Sequence, residues 1–319
     1  MYAYTNFNND NSRRNFITKA FGATAAIGLS GITTSALAKK EIVKITVLHT
    51  NDVHSHIDPF PDNDPKFAGL GGAARRAKII ENIRNSEQNV LLLDAGDVFQ
   101  GTPYFNKYGG ELELKLMSMM GYDATTIGNH DFDNGLEGLL KVMPNANFPY
   151  LNTSYNFDDT ILAGKTIPYK IFFKDGIKIG VFGLGIELEG LVDKRMYGAT
   201  RYNNAIEKAA EYTHKLKHEL KCDLVICLSH LGYKYEEKKF SDMELAKRSK
   251  DIDLIIGGHT HTFLEKPLEI RNRDGKSCLV AQVGWAGLRL GRIDFYFEKN
   301  TKHRVNESAN IKVLNYAIG

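Results

Sequence analysis

The chain has 319 residues, of which 43% are hydrophobic and 25% are charged, and its formal net charge is +3. This composition excludes a disordered, collagenous or disulfide-framework protein, and the length allows one large domain or two modest ones. A net charge this close to zero predicts no nucleic-acid polymer as a partner.

Residues 1–38 are predicted to be an export signal that does not belong to the fold. Adjacent arginines, Arg13 and Arg14, precede a mildly apolar stretch that ends in the small residues Ala36-Leu37-Ala38. This order is typical of a cleaved signal, and paired arginines are typical of the twin-arginine type. The stretch is too weakly apolar to span a bilayer. We expect a periplasmic or otherwise exported protein without a membrane span; the alternative for 1–38 is an amphipathic helix.

Short apolar runs alternate with helical patterns from residue 39 onward, which predicts an α/β fold in a single domain, 39–319. The predicted strands are Ile42–His49, Val90–Asp94, Ala124–Ile127, Tyr150–Asn152, Tyr169–Phe173, Ile177–Phe182, Leu224–Ser229, Leu254–Ile256, Leu279–Val283, Leu288–Phe297 and Ile311–Tyr316. The predicted helices are Gly72–Arg84, Glu111–Met120, Gly135–Val142, Asn203–Leu220 and Asp242–Lys250. The three cysteines are predicted to be free, buried thiols.

Five polar clusters directly follow apolar strand runs. They are Asp52-Val53-His54, Gly96-Asp97, Gly128-Asn129-His130-Asp131, Ser229-His230 and Gly258-His259-Thr260-His261. Because sites in α/β sheets form at the carboxyl ends of strands, these clusters are expected to converge. They supply enough oxygen and imidazole ligands for two divalent ions, and their lack of thiolate excludes a structural cysteine-zinc site. The glycines of these clusters, Gly96, Gly128 and Gly258, are expected to have positive φ or to lie where the backbone comes close to the site.

The order and spacing of these clusters resemble the calcineurin-like metallophosphoesterase superfamily, with its DxH, GDxxxG, GNHD/E, H and GHxH motifs. The resemblance covers 42–297 and is closer still to the catalytic domain of bacterial periplasmic 5′-nucleotidases and UDP-sugar hydrolases. The stretches that carry it include Leu48–His54, Gly71–Arg75, Asp94–Gly101 and Ile127–Asp133. It implies a sandwich of two mixed β-sheets flanked by helices.

The resemblance also implies a role for each site residue. Asp52, His54 and His261 would hold one metal ion, Asn129, His230 and His259 the other, and Asp97 would bridge both. The two ions, which could be Mn, Zn, Co, Fe or Mg, would make a bridging water acidic enough to attack phosphorus as hydroxide. His130, oriented by Asp133, would bind the substrate together with Asn129 and stabilise the transition state or the leaving group.

These implications predict an exported phosphomonoesterase that hydrolyses 5′-nucleotides. Three alternatives stay open: a phosphodiesterase acting on cyclic nucleotides or nucleotide-sugars, a sulfur-ester hydrolase of the same fold, and a non-catalytic metal-binding subunit of a two-chain nucleotidase. The last is disfavoured because a scaffold has no need for His130. Periplasmic nucleotidases of this type carry a second, C-terminal domain that binds the substrate, and no segment of this chain matches it. Either the chain acts alone with broad specificity, or a separate protein supplies a specificity domain.

Three other groups of residues are weaker candidates for a role in the site. His56 is expected either near the metal ligands without binding metal or at the surface. His214 and His218, four residues apart on a predicted helix, are expected on a solvated face. Trp285 and Phe263 are expected to pack in the core in preference to lining the pocket.

Overall fold

The computed structural model describes residues 41–237 and 239–313, of which 306–313 are described by their backbone alone. The predicted export signal, residues 1–38, lies outside this range. The described residues belong to one compact unit. Among their helices, none is both long enough and apolar enough to cross a lipid bilayer.

The described part of the chain forms thirteen β-strands and seven α-helices. The strands are β1 (Ile42–Thr50), β2 (Val90–Asp94), β3 (Ala124–Thr125), β4 (Tyr155–Asn156), β5 (Tyr169–Lys174), β6 (Ile177–Leu184), β7 (Arg201–Tyr202), β8 (Leu224–Ser229), β9 (Leu254–Gly257), β10 (Leu268–Arg271), β11 (Ser277–Ala281), β12 (Arg289–Glu298) and β13 (Arg304–Val313). The helices are α1 (Ala73–Ser86), α2 (Pro103–Tyr108), α3 (Glu111–Met120), α4 (Gly135–Val142), α5 (Lys194–Tyr197), α6 (Ala205–His214) and α7 (Asp242–Arg248). Two 3₁₀ turns (His130–Phe132 and Met143–Asn145) and one π turn (Lys215–Glu219) complete the set.

The longer strands form two mixed sheets. The first has the order β13-β12-β1-β2-β3, in which β1, β2 and β3 are parallel and β12 runs antiparallel to β1. The second has the order β10-β11-β9-β8-β6-β5, with a parallel centre formed by β11, β9, β8 and β6. The short strands β4 and β7 pair separately. The predicted fold class, two mixed sheets with flanking helices, is confirmed.

An aliphatic core lies between the two sheets. Side chains such as Val47 and Leu91 of the first sheet pack in it with Ile226 and Leu254 of the second. The central strands β2 and β8 are buried along their whole length. Strands buried on both faces have continuous apolar sequences without alternation. This explains why the predicted bounds of β2 and β8 are correct.

Helices cover the outer face of each sheet. The first sheet packs against α1, α3 and α4 through residues such as Ile80, Leu114 and Leu139. The second packs against α6 and α7 through residues such as Ala209 and Leu245. Each sheet is therefore covered on both faces, and the loops at its carboxyl edge are left to carry polar side chains.

Some predicted bounds are wrong, for local reasons. The strand predicted over Ala124–Ile127 pairs only in its first two residues, since the Thr126 hydroxyl then donates to the Leu151 carbonyl at 2.9 Å. The helix predicted over Asn203–Leu220 begins only at α6, because the Asn204 side chain caps it, and it continues past α6 as the π turn.

Two further differences concern α2 and the last strand. Helix α2 was missed, although Thr102 as N-cap followed by Pro103 is a recognisable start signal. The predicted strand Ile311–Tyr316 begins earlier, at Arg304, and its residues 314–316 lie outside the described range. The three cysteines are free and buried, as predicted.

Candidate metal centre

The predicted metal ligands all lie in loops at the carboxyl ends of parallel strands. These loops follow β1, β2 and β3 in the first sheet and β8 and β9 in the second. In that order they carry Asp52 with His54, Asp97, Asn129, His230, and His259 with His261. The structure brings these side chains together at one edge of the sandwich, as expected for the carboxyl ends of parallel strands.

One group of possible ligands consists of Asp52, His54 and His261. One ligand atom from each lies within 4.8 Å of the other two. The Nε2 atoms of His54 and His261 are 3.0 Å apart, and His261 Nε2 is 3.5 Å from Asp52 Oδ1. Burial lowers the pKa of His261 to about 4, which keeps its ring neutral. A neutral imidazole is the form that binds metal.

A second group consists of Asp97, His230 and His259, whose ligand atoms also lie within 4.8 Å of one another. Asp97 Oδ2 is 3.0 Å from His230 Nε2 and 3.9 Å from His54 Nε2, so this carboxylate lies between the two groups. Asn129 Oδ1 lies 2.7 Å from His259 Nδ1. The assignment of Asp97 to both ions and of Asn129 to the second stays a prediction, and these distances allow it.

The chemistry of these donors fits divalent cations. Asp97 Oδ2 and His230 Nε2 are fully buried 3.0 Å apart, and beyond this ion pair neither makes a hydrogen bond within the described part of the chain. Burying a charged pair is costly, and bound cations that take both atoms as ligands would offset this cost. Burial raises the pKa of Asp52 to about 8, so the fold buries this carboxylate at a cost that a cation offsets. Oxygen and imidazole ligands without thiolate suit Mn, Zn, Fe or similar ions.

Asp97 raises the pKa of His230 and so favours the protonated, imidazolium form of its ring. Burial lowers the pKa of this imidazole, but the charge and hydrogen-bonding effect of Asp97 outweigh burial and raise it to about 10. Its Nδ1 lies 2.7 Å from the carbonyl of Ala95, which fixes the ring plane. A metal ion that binds Nε2 must displace this proton, so binding there is expected to weaken at low pH.

Five of the candidate ligands have left-handed backbone conformations. They are Asp52, His54, Asp97, His259 and His261, with φ between 50° and 70°. This region costs a non-glycine residue ~1–2 kcal/mol. Backbone strain of this kind concentrates at functional sites, where contacts with the surrounding fold offset its cost.

The glycines of the polar clusters have the two predicted uses. Gly96 has a φ of +87°. Gly128 and Gly258 lie where other groups come close: a Cβ on Gly128 would be 2.2 Å from Asp97 Oδ1, and one on Gly258 would be 2.7 Å from His230 Nδ1. Any side chain at these two positions would displace a candidate ligand.

His130 and Asp133 form a pair beside the two metal groups. His130 Nδ1 lies 2.9 Å from Asp133 Oδ2, and this hydrogen bond raises the pKa of His130. The His130 ring is 5.3 Å from the ring of His54, and its side chain is 39% exposed. It belongs to neither metal group, and it lies on the open side of the site, where a substrate can reach it.

Asp131 is an important site residue to which sequence reasoning assigned no role. Its carboxylate accepts hydrogen bonds from the backbone N–H groups of Gly128 at 2.8 Å, Val98 at 3.1 Å and Asp97 at 3.2 Å. It therefore ties the loop after β2 to the loop after β3. Its place in the third polar cluster was the available signal, but two of the partners lie about thirty residues away and depend on the fold.

The weaker candidates divide between the surroundings of the metal ligands and exposed surface. His56 is in neither metal group; its Nδ1 lies 2.9 Å from the carbonyl of His54. His218 forms an exposed pair with Asp251 at 2.9 Å, as expected for a solvated face. The expectation for Trp285 is wrong, because it is half-buried and stacks on the ring of His261 instead of packing in the core.

The known proteins that this chain resembles indicate one family. The model of the calcineurin-like phosphoesterase family matches residues 45–263. A snake venom 5′-nucleotidase of Gloydius brevicauda is 33% identical over 293 residues, covering 85% of this chain and 48% of that protein. The trifunctional nucleotide phosphoesterase protein YfkN of Bacillus subtilis is 35% identical over 302 residues, which cover 85% of this chain and 19% of that protein.

Solved structures agree with this assignment. The crystal structure of a 5′-nucleotidase precursor from Thermus thermophilus superposes with a TM-score of 0.77 at 28% identity, over 85% of this chain and 54% of that one. The chain thus spans about half the length, or less, of these three proteins. On the family match, the fold and the converging ligands, the chain belongs to the calcineurin-like phosphoesterase family.

Proposed function

We propose that this chain is a metal-dependent phosphoric ester hydrolase that cleaves phosphate monoesters, with 5′-nucleotides as its substrates. The observation that carries the proposal is the position of Asp97 between two groups of metal ligands, with the His130–Asp133 pair beside them. Two adjacent cations with a nearby histidine suit the transfer of a phosphoryl group to water.

Each residue of the site has a role in the proposed reaction. Asp52, His54 and His261 would hold one ion, Asn129, His230 and His259 would hold the other, and Asp97 would hold both. When bound, the two ions supply charge that attracts a phosphate dianion and lowers the pKa of a water that attacks phosphorus. Asp133 orients His130 and favours its protonated form. Protonated His130 then donates a hydrogen bond to the phosphoryl group or a proton to the leaving oxygen.

The choice of nucleotides rests on the relatives, since the metal site itself accepts any phosphate ester of suitable shape. A relative at 33% identity is named as a 5′-nucleotidase. The relative at 35% identity is named as a trifunctional nucleotide phosphoesterase, which supports a phosphodiesterase acting on nucleotides as the second candidate. A sulfur-ester hydrolase stays a prediction that no feature of the site favours.

Export and partnership belong to the same proposal. A relative named as a venom protein supports a location outside the cytoplasm. The twin-arginine signal in residues 1–38, with cleavage after Ala38, stays a prediction, as do the single domain over 39–319 and a separate specificity-domain protein. A pull-down from the native host with the exported chain, followed by assays with and without the captured protein, tests the partnership.

A substrate panel tests the proposed reaction. The chain lacking residues 1–38 is loaded with Mn²⁺, Zn²⁺, Co²⁺ or Mg²⁺ and offered nucleoside monophosphates, cyclic nucleotides, UDP-sugars and an aryl phosphate. We expect phosphate release to be fastest from a nucleoside monophosphate with at least one of the metals. Faster cleavage of cyclic nucleotides or UDP-sugars would favour the phosphodiesterase instead, and no cleavage with any metal would contradict both.

A further inference from the structure

The four histidines of the metal centre are held in place in different ways. Nδ1 of His54 and of His230 each lies within hydrogen-bond distance of a backbone carbonyl, at 3.0 and 2.7 Å. His259 Nδ1 lies 2.7 Å from Asn129 Oδ1. A hydrogen bond to a backbone carbonyl, as His54 and His230 have, fixes the ring plane of a ligating imidazole. His261 differs, because among the described residues its only hydrogen-bond contact is at Nε2, with His54.

Trp285 makes the contact that His261 otherwise lacks. The indole and imidazole planes are 6° apart, with ring centroids 5.7 Å from each other, which is an offset stack. Trp285 lies in the loop between β11 and β12. This loop is tied to the first metal group, because the N–H of Ala286 donates to the carbonyl of Asp52 at 2.8 Å.

Three other rings contact Trp285: those of His56, Phe60 and Phe67. Together with Trp285 they form an aromatic cluster. The ring centroid of His56 lies 5.1 Å from that of Trp285, in an edge-on arrangement with an interplanar angle of 84°. Phe60 and Phe67 contact the same indole at 5.9 and 6.2 Å between centroids. The indole that stacks on His261 is therefore fixed on its other sides.

We infer that Trp285 is a positioning residue for the metal ligand His261. The indole holds the imidazole plane so that Nε2 faces His54 Nε2 at 3.0 Å and Asp52 Oδ1 at 3.5 Å. It does for His261 what a hydrogen bond at Nδ1 does for His54 and His230. The inference rests on the proposed metal centre, and it is tested by metal binding without reference to turnover.

Three variants separate the stack from general packing. W285A removes the ring, and we expect it to weaken Mn²⁺ binding to the metal-free chain by about 10–100-fold, the usual effect of losing a partner that orients a ligand. W285F keeps a flat ring and should bind Mn²⁺ almost as tightly as wild type. Phe173→Ala is the control, because it removes an exposed ring of β5 outside the aromatic cluster and the metal centre, and it should bind Mn²⁺ as tightly as wild type. Titration calorimetry measures all three, and circular dichroism checks their folding.

The outcomes are distinguishable. Wild-type affinity in W285A, or equally weak binding in W285F and W285A, overturns the inference. If W285A does not fold, the wild-type chain decides, because Trp285 is its only tryptophan: Mn²⁺ or Co²⁺ binding should quench its fluorescence, and calorimetric binding with unchanged emission overturns the inference. Tight metal binding without hydrolysis contradicts only the proposed function, whereas a wild-type chain that binds no metal contradicts both.

Discussion

Asp97 shows how the fold prepares a buried carboxylate for cations. Its Oδ1 accepts a hydrogen bond from the backbone N–H of His130 at 2.8 Å, while Oδ2 faces His230 Nε2 at 3.0 Å. Its own N–H donates to Asp131 at 3.2 Å. One oxygen is therefore oriented by the backbone, and the other is left to a charged partner. The same division between an oriented side and a binding side holds for His54 and His230.

His130→Ala is expected to retain the metal ions and lose turnover. His130 belongs to neither metal group, so Mn²⁺ affinity should stay near that of wild type. Loss of a hydrogen-bond and proton donor should lower kcat for a nucleoside monophosphate by about 10²–10⁴-fold. Steady-state kinetics and calorimetry measure the two quantities. His218→Ala, at an exposed histidine that pairs with Asp251, is the control. A near-normal kcat in His130→Ala would refute the role assigned to His130.

Gly128→Ala is expected to damage the metal centre without changing a ligand. The new Cβ would lie 2.2 Å from Asp97 Oδ1 and 2.6 Å from Asp97 N, so the bridging carboxylate must move. We expect a large loss of Mn²⁺ affinity and lower stability to urea. Gly164→Ala is the control: φ is +71° and no atom lies within 4 Å, so it should cost ~1 kcal/mol of stability and leave metal affinity intact. Unchanged affinity in Gly128→Ala would contradict the geometry.

The sequence predicted the ligands better than the residues that orient them. Asp52, His54 and Asp97 stand directly after strands at characteristic spacings, so position along the chain identifies them. The roles of Asp131 and Trp285 depend on contacts with residues that are distant in sequence. An aromatic side chain in a loop carries no local sign of whether it packs in the core or against a ligand.

A network of charged side chains links helix α1 to strands β1 and β12 of the first sheet. Glu87, which follows α1, pairs with Lys44 of β1 at 2.5 Å and with Arg292 of β12 at 2.6 Å. Arg292 also pairs with Asp294 at 2.8 Å. The network connects the end of a helix to two adjacent strands. A network of this kind can stabilise the fold, whereas an isolated surface ion pair contributes little.

Glu87→Gln is expected to reduce stability in a pH-dependent way. Burial raises the pKa of Glu87, but hydrogen bonds from Lys44 and Arg292 outweigh it and hold the pKa below its ordinary value. The unfolded chain therefore binds the proton more readily. The stabilisation is complete above the unfolded pKa of ~4.3 and is lost as the pH falls through the folded pKa. Urea unfolding should show Glu87→Gln less stable than wild type at pH 7, with the difference shrinking below pH ~4.

Glu81→Gln is the matched control for this network. Glu81 lies on the same helix, α1, and pairs with Lys78 at an exposed position, where ion pairs contribute little. Its stability should equal that of wild type at both pH values. A deficit of Glu87→Gln that stays constant from pH 7 to pH 4 would show that the glutamate charge is not the cause.

Elements with strong local signals were predicted well, and those that depend on distant pairing were not. Strands β2 and β8 and helices α3 and α4 have the predicted bounds, because a buried strand or an amphipathic helix is encoded within its own residues. The two-residue strands β4 and β7 exist only through pairing with each other across more than forty residues. No periodicity in so short a segment could indicate them.

The metal centre joins the two halves of the sandwich. In the first group, Asp52 and His54 follow a strand of the first sheet, and His261 follows a strand of the second. In the second group, Asp97 comes from the first sheet, and His230 and His259 come from the second. Bound ions would therefore link the two sheets. The fold class could be predicted from the order of the motifs, whereas this linkage needed the sheet order.

Removal of metal is therefore expected to lower the thermal stability of the whole domain. Binding at 100 times Kd contributes about 2.7 kcal/mol per site, which corresponds to several degrees in Tm. Differential scanning calorimetry should show a lower Tm after treatment with EDTA and recovery with Mn²⁺. Asp97→Asn should show little response to EDTA or Mn²⁺. A Tm that is the same for wild type with and without metal would contradict the linkage.

The proposed reaction on this metal centre can be decided by phosphate release from AMP, measured on the Mn²⁺-loaded chain beside its chelated form and the Asp97→Asn variant. We expect release by the loaded wild type, none above background after chelation, and a loss in Asp97→Asn that added Mn²⁺ does not restore. Release that persists in the chelated chain, or that is unchanged in Asp97→Asn, would contradict the assignment of this site as a metal-dependent phosphoesterase centre.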